Sequence, residues 1–266
     1  MRNSRFLIVI PARAGSKGIP NKNFLSLGKE LVIDYSIRHA LKLNDICDLV
    51  ISTDNYEFLT NIESSKRGVK TTVRSNHLKE IIEIDSGTFL HFRDLSLAKD
   101  ETPIIEVLRD ILQRFSVKKK EFEGVILLQP TVPFRSDTDL LLMRNFLMNE
   151  ASESNSLVTF KEVSDSHPAR MYIRSKGRNF QNLGLYLEHE QTRRQNLPEV
   201  FLRDGCYYFI GRELLARGKQ VSENPEGLVR KFPWTINLDV QEDYIMAQIV
   251  LQNYRSVLER ENAIWK

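Results

Sequence analysis

The stretch FLIVIPARAGSKGIPNKN, from Phe6 to Asn23, decides the fold. Phe6 to Ile10 is apolar, rich in β-branched residues and closed by Pro11. A short run of this kind reads as a parallel strand buried on both faces that opens into a loop. The loop, Ala12 to Lys29, is polar and contains glycines. Beyond it, Leu31, Tyr35, Ile37, Ala40 and Leu41 repeat at mostly helical spacing, predicting a first crossover helix over Leu31 to Leu43. Asp48 to Ser52 reads as a second strand with Thr53 and Asp54 at its carboxyl end. Strand, loop, helix and strand in this order open an α/β fold with a doubly wound, mostly parallel sheet.

Further out, Asn55 to Arg67 predicts a helix closed by Gly68, and Val69 to Val73 a strand. Residues 74–98 mix short apolar groups with charges and specify no element. Ile104, Ile105, Leu108, Ile111 and Leu112 predict an amphipathic helix over Glu101 to Phe115. The charge run Lys118 to Glu123 reads as a solvated turn before a strand from Val125 to Leu128, and a helix follows over Asp137 to Leu147. Leu157 to Phe160 and Cys206 to Ile210 read as strands. Between them, residues 162–203 are rich in Arg, Asn and Gln and read as an arm inserted in a single domain spanning residues 1–266. Trp234 to Leu238 predicts a late strand, and Gln241 to Arg260 a closing helix.

At 266 residues, 41% hydrophobic and 27% charged, the chain can bury a core without disulfide or metal staples. A net charge of +3 gives no argument for a nucleic-acid or membrane partner. The distribution says more: residues 1–29 carry Arg2, Arg5, Arg13, Lys17, Lys22 and Lys29 and no acid, an attraction for a polyanion that a nucleoside triphosphate fits as well as a nucleic acid does. Cys47 and Cys206 are the only cysteines, which suits a reducing cytoplasm. With no early apolar run of membrane-spanning length, neither a signal peptide nor a transmembrane span is expected.

The loop Pro11 to Asn23 lies at the carboxyl edge of the predicted sheet, where open α/β proteins bind ligands. Its small residues admit phosphate oxygens, and Arg13, Lys17 and Lys22 can neutralise them. It lacks the glycine spacing of a dinucleotide loop and the ending of a Walker loop, and the bland alternative is a solubilising surface loop. Asn237 and Asp239 fall on one side of the predicted late strand, where hard oxygens could hold Mg²⁺. Equally, Asp239 could cap the closing helix. Gln129 to Arg135 forms a polar strand tip bracketed by prolines, which suits ligand recognition or a plain strand-to-helix turn equally, and Arg193, Arg194 and Gln195 of the arm suit an anionic or hydroxyl-rich partner, with a charged surface stretch as the slightly favoured alternative. His39, His77, His91, His167 and His189 show no zinc spacing, and no GxSxG signature is present.

Several motifs together identify a resemblance: P-A-R-x-x-S-K-G-x-x-x-K-N over Pro11 to Asn23, Ser52-Thr53-Asp54, R-x-x-x-L-A-x-D over Arg93 to Asp100, L-Q-P-T-x-P-x-R over Leu128 to Arg135, R-Q-x-L-P over Arg194 to Pro198, and Asp204-Gly205. The chain resembles the acylneuraminate cytidylyltransferases over nearly its whole length. That resemblance implies a Rossmann-like nucleotidyltransferase fold and transfer of CMP from CTP to the anomeric hydroxyl of a nine-carbon, sialic-acid-like keto sugar. It implies that Arg13 and Lys22 hold the CTP phosphates with Lys17 assisting, that Ser16 and Asp100 bind substrate, and that Asn23 and Arg93 help recognise the cytidine. Gln129 would contact the sugar, Asp239 would bind Mg²⁺, and the arm would cross a homodimer so that Arg194 and Gln195 serve the neighbouring site.

Three departures stand against that pattern. Asn237 replaces the first aspartate of a D-x-D metal motif, Val132 replaces a common serine, and an extra stretch precedes Arg93. They point to an acceptor other than ordinary N-acetylneuraminate. A nucleotidyltransferase acting on another sugar, and a nucleotide-binding regulator without turnover, are the alternatives.

Overall fold

A computed structural model describes residues 5–15, 18–61, 81–163, 166–189, 192–254 and 256–258. The chain runs through β1 (Phe6–Pro11), the short pair β2 (Ser26–Leu27) and β3 (Glu30–Leu31), α1 (Val32–Leu41), β4 (Cys47–Thr53) and α2 (Tyr56–Asn61). Next come β5 (Ile81–Asp85), β6 (Thr88–Phe92), α3 (Ile104–Val117), β7 (Gly124–Leu127), α4 (Asp137–Asn149) and β8 (Ser156–Glu162). The arm holds β9 (Tyr172–Arg174) and β10 (Phe180–Asn182), and β11 (Phe201–Gly211), α5 (Arg212–Ala216), β12 (Glu226–Arg230) and α6 (Gln241–Asn253) complete the chain.

Eight strands form one sheet in the order β12-β8-β11-β7-β1-β4-β6-β5. Its centre, β7-β1-β4-β6, is parallel throughout, while β11 runs antiparallel to both β7 and β8. Alternation along β1 explains the unbroken apolar run: Ile8 and Ile10 pack with Ile33 and Ile37 of α1 and Leu140 of α4, and Leu7 and Val9 with Leu108 and Ile111 of α3. Helices on both faces make the doubly wound α/β sheet predicted above. A third cluster joins Leu27 and Val32 to Trp234, Ile236, Leu238, Ala247 and Val250, which anchors the end of the chain beside the opening loop.

Four readings change. Trp234 to Leu238 is not a strand, although Trp234, Ile236 and Leu238 alternate into the core. Its backbone finds partners outside a ladder: Leu238 N donates to Thr131 O at 2.8 Å, and Trp234 O accepts from the Arg230 guanidinium at 2.6 Å. The strand at that edge is β12, whose largely exposed residues give no apolar signal. The run at Lys118 to Glu123 does turn, but it is not wholly solvated. Phe122 is buried, and Lys120 pairs with buried Asp48 while lying over the rings of Phe89 and Phe122. The unassigned stretch contains the hairpin of β5 and β6, and the closing helix spans Gln241–Asn253. The second half of the helix expected to end at Gly68, and the strand expected at Val69 to Val73, lie outside the described residues.

Candidate functional site

The four central strands end together. Beyond them the ladder continues for one more bond each, with Ala12 N donating to Ser52 O (2.8 Å), Arg93 N to Thr53 O (2.8 Å) and Leu128 N to Val9 O (3.0 Å). Arg13, Asp54, Arg93 and Gln129 therefore leave the sheet at one level, at its carboxyl edge. Asp54 Oδ1 accepts from Ala14 N at 2.7 Å and fixes the start of the loop. Arg13 reaches Asp100 at 2.5 Å, with both side chains about one third exposed.

Asn23 is buried, and its Nδ2 donates to Arg13 O at 3.0 Å. That bond fixes the amide orientation, so Oδ1 is the free end, and it finds no hydrogen-bond partner among the described residues. A buried acceptor left unmade is costly, and such atoms are rare enough to need an explanation. Arg93 is also buried; its Nε lies 3.3 Å from Ser52 Oγ, and its Nη2 lies 3.3 Å from both Ser52 O and Oγ. Burial pushes its pKa down to about 10, Asp54 opposing and Arg13 adding to the shift, which leaves the guanidinium charged at neutral pH.

The end of the chain closes the other side. Lys22 Nζ lies 2.9 Å from Asp239 Oδ1, and Asn237 Nδ2 donates to Asp239 Oδ2 at 3.0 Å. Gly18 is required here, since a Cβ would sit 2.1 Å from Asp239 O. The N-cap position of α6 is Val240, and Asp243 in the first turn reaches back to satisfy the helix start, its Oδ2 accepting from both Asp239 N and Val240 N at 2.9 Å. The Asp239 carboxylate is thereby left for Lys22, Asn237 and solvent, with 62% of its side chain exposed.

Among the described residues no group of three or more His, Cys, Asp or Glu side chains converges to hold a metal. At this end of the site, the described residues offer the Asp239 carboxylate and the buried amide oxygen of Asn237, which has no hydrogen-bond partner among them. Mg²⁺ keeps several waters and is held by one or two carboxylates together with substrate phosphates. The donor set fits an ion shared with a triphosphate, not one held by protein alone.

Gln129 is seated against β11: a Cβ on Gly205, whose φ is +81°, would lie 2.6 Å from Gln129 Oε1. Its carbonyl accepts from Arg135 Nη2 at 2.8 Å. The structure thus brings Arg13, Asn23, Arg93 and Asp100 into one cluster and Lys22, Asn237 and Asp239 into another, the two linked by the opening loop. Arg194 and Gln195 stand on an exposed turn of the arm, outside the contacts just described. Ser16 and Lys17 lie outside the described residues.

One residue behind the site had no sequence signal. Arg230 is buried and binds Asp139 (3.0 Å), Asp204 (2.6 Å), Phe134 O (2.8 Å) and Trp234 O (2.6 Å), which ties the Gln129 to Arg135 loop to β11 and to the final segment.

Residues 7–158 match the cytidylyltransferase family. The CMP-N,N'-diacetyllegionaminic acid synthase of Legionella pneumophila is 24% identical over 255 residues, which cover 93% of this chain and 97% of that protein. An N-acylneuraminate cytidylyltransferase of Streptococcus agalactiae is 24% identical over 97% of this chain, which spans only 56% of that longer protein. Among solved structures, a CMP:2-keto-3-deoxy-manno-octonic acid synthetase complexed with CTP shares the fold at 16% identity and a TM-score of 0.56, over 97% of this chain and 100% of that one.

Proposed function

Because the chain belongs to the cytidylyltransferase family, we propose that it joins CMP from CTP to the anomeric hydroxyl of a nonulosonic, nine-carbon keto sugar acid and releases pyrophosphate. The observation that carries the nucleotide half of this reading is Asn23 Oδ1, a buried acceptor with no partner among the described residues, on an amide held by Arg13 O. The exocyclic amine of cytosine is a donor that would satisfy it, whereas the corresponding group of uracil is an acceptor. The acceptor half rests on the likeness to the legionaminic acid synthase along 93% of the chain, together with the motif resemblance.

In the reaction, a bond forms between the anomeric oxygen and the α-phosphorus while the bond from that phosphorus to the bridging oxygen of pyrophosphate breaks, and the hydroxyl proton leaves to solvent. Arg13 and Lys22 exchange Asp100 and Asp239 for phosphate oxygens, placing positive charge where negative charge accumulates. Asn23 and Arg93 orient the base end, and Gln129 orients the sugar, so that attack becomes effectively intramolecular. Asp239, with Asn237 Oδ1, would hold Mg²⁺, which supplies charge neutralisation on the triphosphate when bound.

Exposed Tyr172, Ile173, Phe180 and Leu185 support an arm that packs on a second copy, which would bring Arg194 and Gln195 to the neighbouring site. Among the described residues no helix is long and apolar enough to cross a membrane. A second reading, a protein that binds CTP without turnover, rests on Asn237 in place of a carboxylate.

The deciding experiment incubates the protein with Mg²⁺, each nucleoside triphosphate and a panel of nonulosonic and eight-carbon keto acids, and scores pyrophosphate and CMP-sugar. CTP-dependent release with a nine-carbon acid is expected. Release only with another sugar, or CTP binding with no release, would replace the reading.

A further inference from the structure

Arg93 is held from behind by a chain of polar side chains that runs from the carboxyl edge into α3. Ser52 of β4 and His91 of β6 are register partners, and alternation puts both on the face filled by Val50, Phe89 and Ile111. Ser52 Oγ lies 2.9 Å from His91 Nδ1, and His91 Nε2 lies 2.8 Å from Asp110 Oδ2. Arg114, one helical turn further along α3, binds the same carboxylate oxygen at 2.9 Å. Ser52 and His91 are fully buried.

The order of donors follows from chemistry. Asp110 accepts only, so the proton of a neutral imidazole sits on Nε2 and leaves Nδ1 as an acceptor. Burial, with Arg114 and Arg93 adding to it, lowers the His91 pKa against the pull of Asp110 and keeps the ring neutral. Nδ1 then accepts a hydrogen bond from the Ser52 hydroxyl. Both lone pairs of Ser52 Oγ are left for Arg93, whose Nε and Nη2 each stand 3.3 Å away. A hydroxyl turned the other way would aim its proton at a guanidinium. Serine, histidine and aspartate in this order activate a nucleophile in hydrolases. Here the serine oxygen is buried and faces a cation, so the same polarity serves positioning.

We infer that Ser52, His91 and Asp110 form a positioning relay that sets the Arg93 guanidinium for the nucleotide. The inference rests on the reading that Arg93 contacts CTP. None of the three is a catalytic residue, because each acts through Arg93.

The test is a double-mutant cycle read as the dissociation constant of CTP by calorimetry, which needs no sugar acceptor. Ser52→Ala and His91→Leu should each weaken CTP about tenfold, and the double variant no more than Ser52→Ala alone. His91→Asn, which offers an amide oxygen near the Nδ1 position, should recover most of the loss, and Ser52→Thr should bind like the parent. Should His91→Leu fail to fold, Ser52→Ala against Ser52→Thr decides. Parental binding by Ser52→Ala and His91→Leu, or losses that multiply in the double variant, would overturn the relay, even where melting temperatures fall. A parent that binds CTP but releases no pyrophosphate would refute the reaction and leave the cycle readable. A parent that binds no CTP would overturn both.

Discussion

Two sets of cation and carboxylate pairs lie at opposite depths of this molecule. At the carboxyl edge, Arg13 meets Asp100 and Lys22 meets Asp239 through side chains that water still reaches. Beneath that edge, Arg230 is sealed between Asp139 and Asp204 and also binds two backbone carbonyls. The chemistry of the pairs is the same, and their surroundings give them different work. A partly exposed pair costs less to open than a buried one, so a phosphate can take the place of the carboxylate. A buried arginine bound on four sides cannot exchange partners without leaving charges uncompensated, so it holds loops in place.

The largest effect should come from the buried set. Arg230→Met would strand two carboxylates in the interior, and a loss of about 3–5 kcal/mol of stability is expected in chemical denaturation. A midpoint within error of the parent would put Arg230 on the same footing as the edge pairs.

The edge set should behave the other way round. Arg13→Ala or Lys22→Ala should lower turnover about 10²–10³-fold. Stability should move by less than about 1 kcal/mol, since the lost pairs are partly solvated. If either variant loses stability and keeps its kcat, the proposed division between exchangeable and permanent pairs fails for that cation.

That division was only partly legible in the sequence. Phe6 to Ile10 showed its two buried faces because every residue in it packs, and the glycine-containing, acid-free loop after it raised the expectation of an anion site, which the proposed function carries. Arg230 gave no sign, since it ends a strand whose other residues are largely exposed and its partners come from three distant segments. Trp234 to Leu238 misled for a related reason: alternation records which side chains are buried, while a ladder also needs a neighbouring strand, and here a guanidinium and Thr131 O take the backbone bonds. Asp239 left two roles open, cap or ligand, and only the position of Asp243 assigned the cap elsewhere.

Asp239 also sharpens the comparison, because the role proposed for it at the edge extends beyond pairing Lys22. Asp239→Asn removes the carboxylate offered to Mg²⁺ and should lower turnover about 100-fold, with a raised Mg²⁺ requirement. Asn237→Asp adds a second carboxylate and should lower that requirement, at the risk of repelling the triphosphate. Turnover followed against Mg²⁺ at fixed CTP and sugar separates these outcomes. A curve for Asp239→Asn that overlays the parent would leave the carboxylate as nothing more than a partner for Lys22.

The smallest effect concerns pH and the buried set alone. His39 is buried against the Tyr207 hydroxyl, and burial pushes its pKa well below the ordinary histidine value, with Arg135, Lys42, Arg230 and Arg38 adding repulsion. The His91 pKa is lowered by burial as well. A histidine neutral in the folded state and protonated at about pH 6.5 in the unfolded state makes the unfolded chain bind more protons as pH falls. Stability is therefore fully present above about pH 6.5 and declines below it, by up to about 1.4 kcal/mol per pH unit for each histidine. The Asp110 carboxylate does not share this window. Burial raises its pKa, but hydrogen bonds from His91 and Arg114 outweigh that and hold it below the ordinary value, so its contribution is lost only in stronger acid. Denaturation midpoints taken between about pH 7.5 and 5.5 should fall for the parent and fall less steeply for His39→Gln, which keeps a polar partner for Tyr207 and cannot take up a proton. Equal slopes in the two proteins would mean that His39 is protonated without penalty, and that the interior behind the site is wetter than its packing implies.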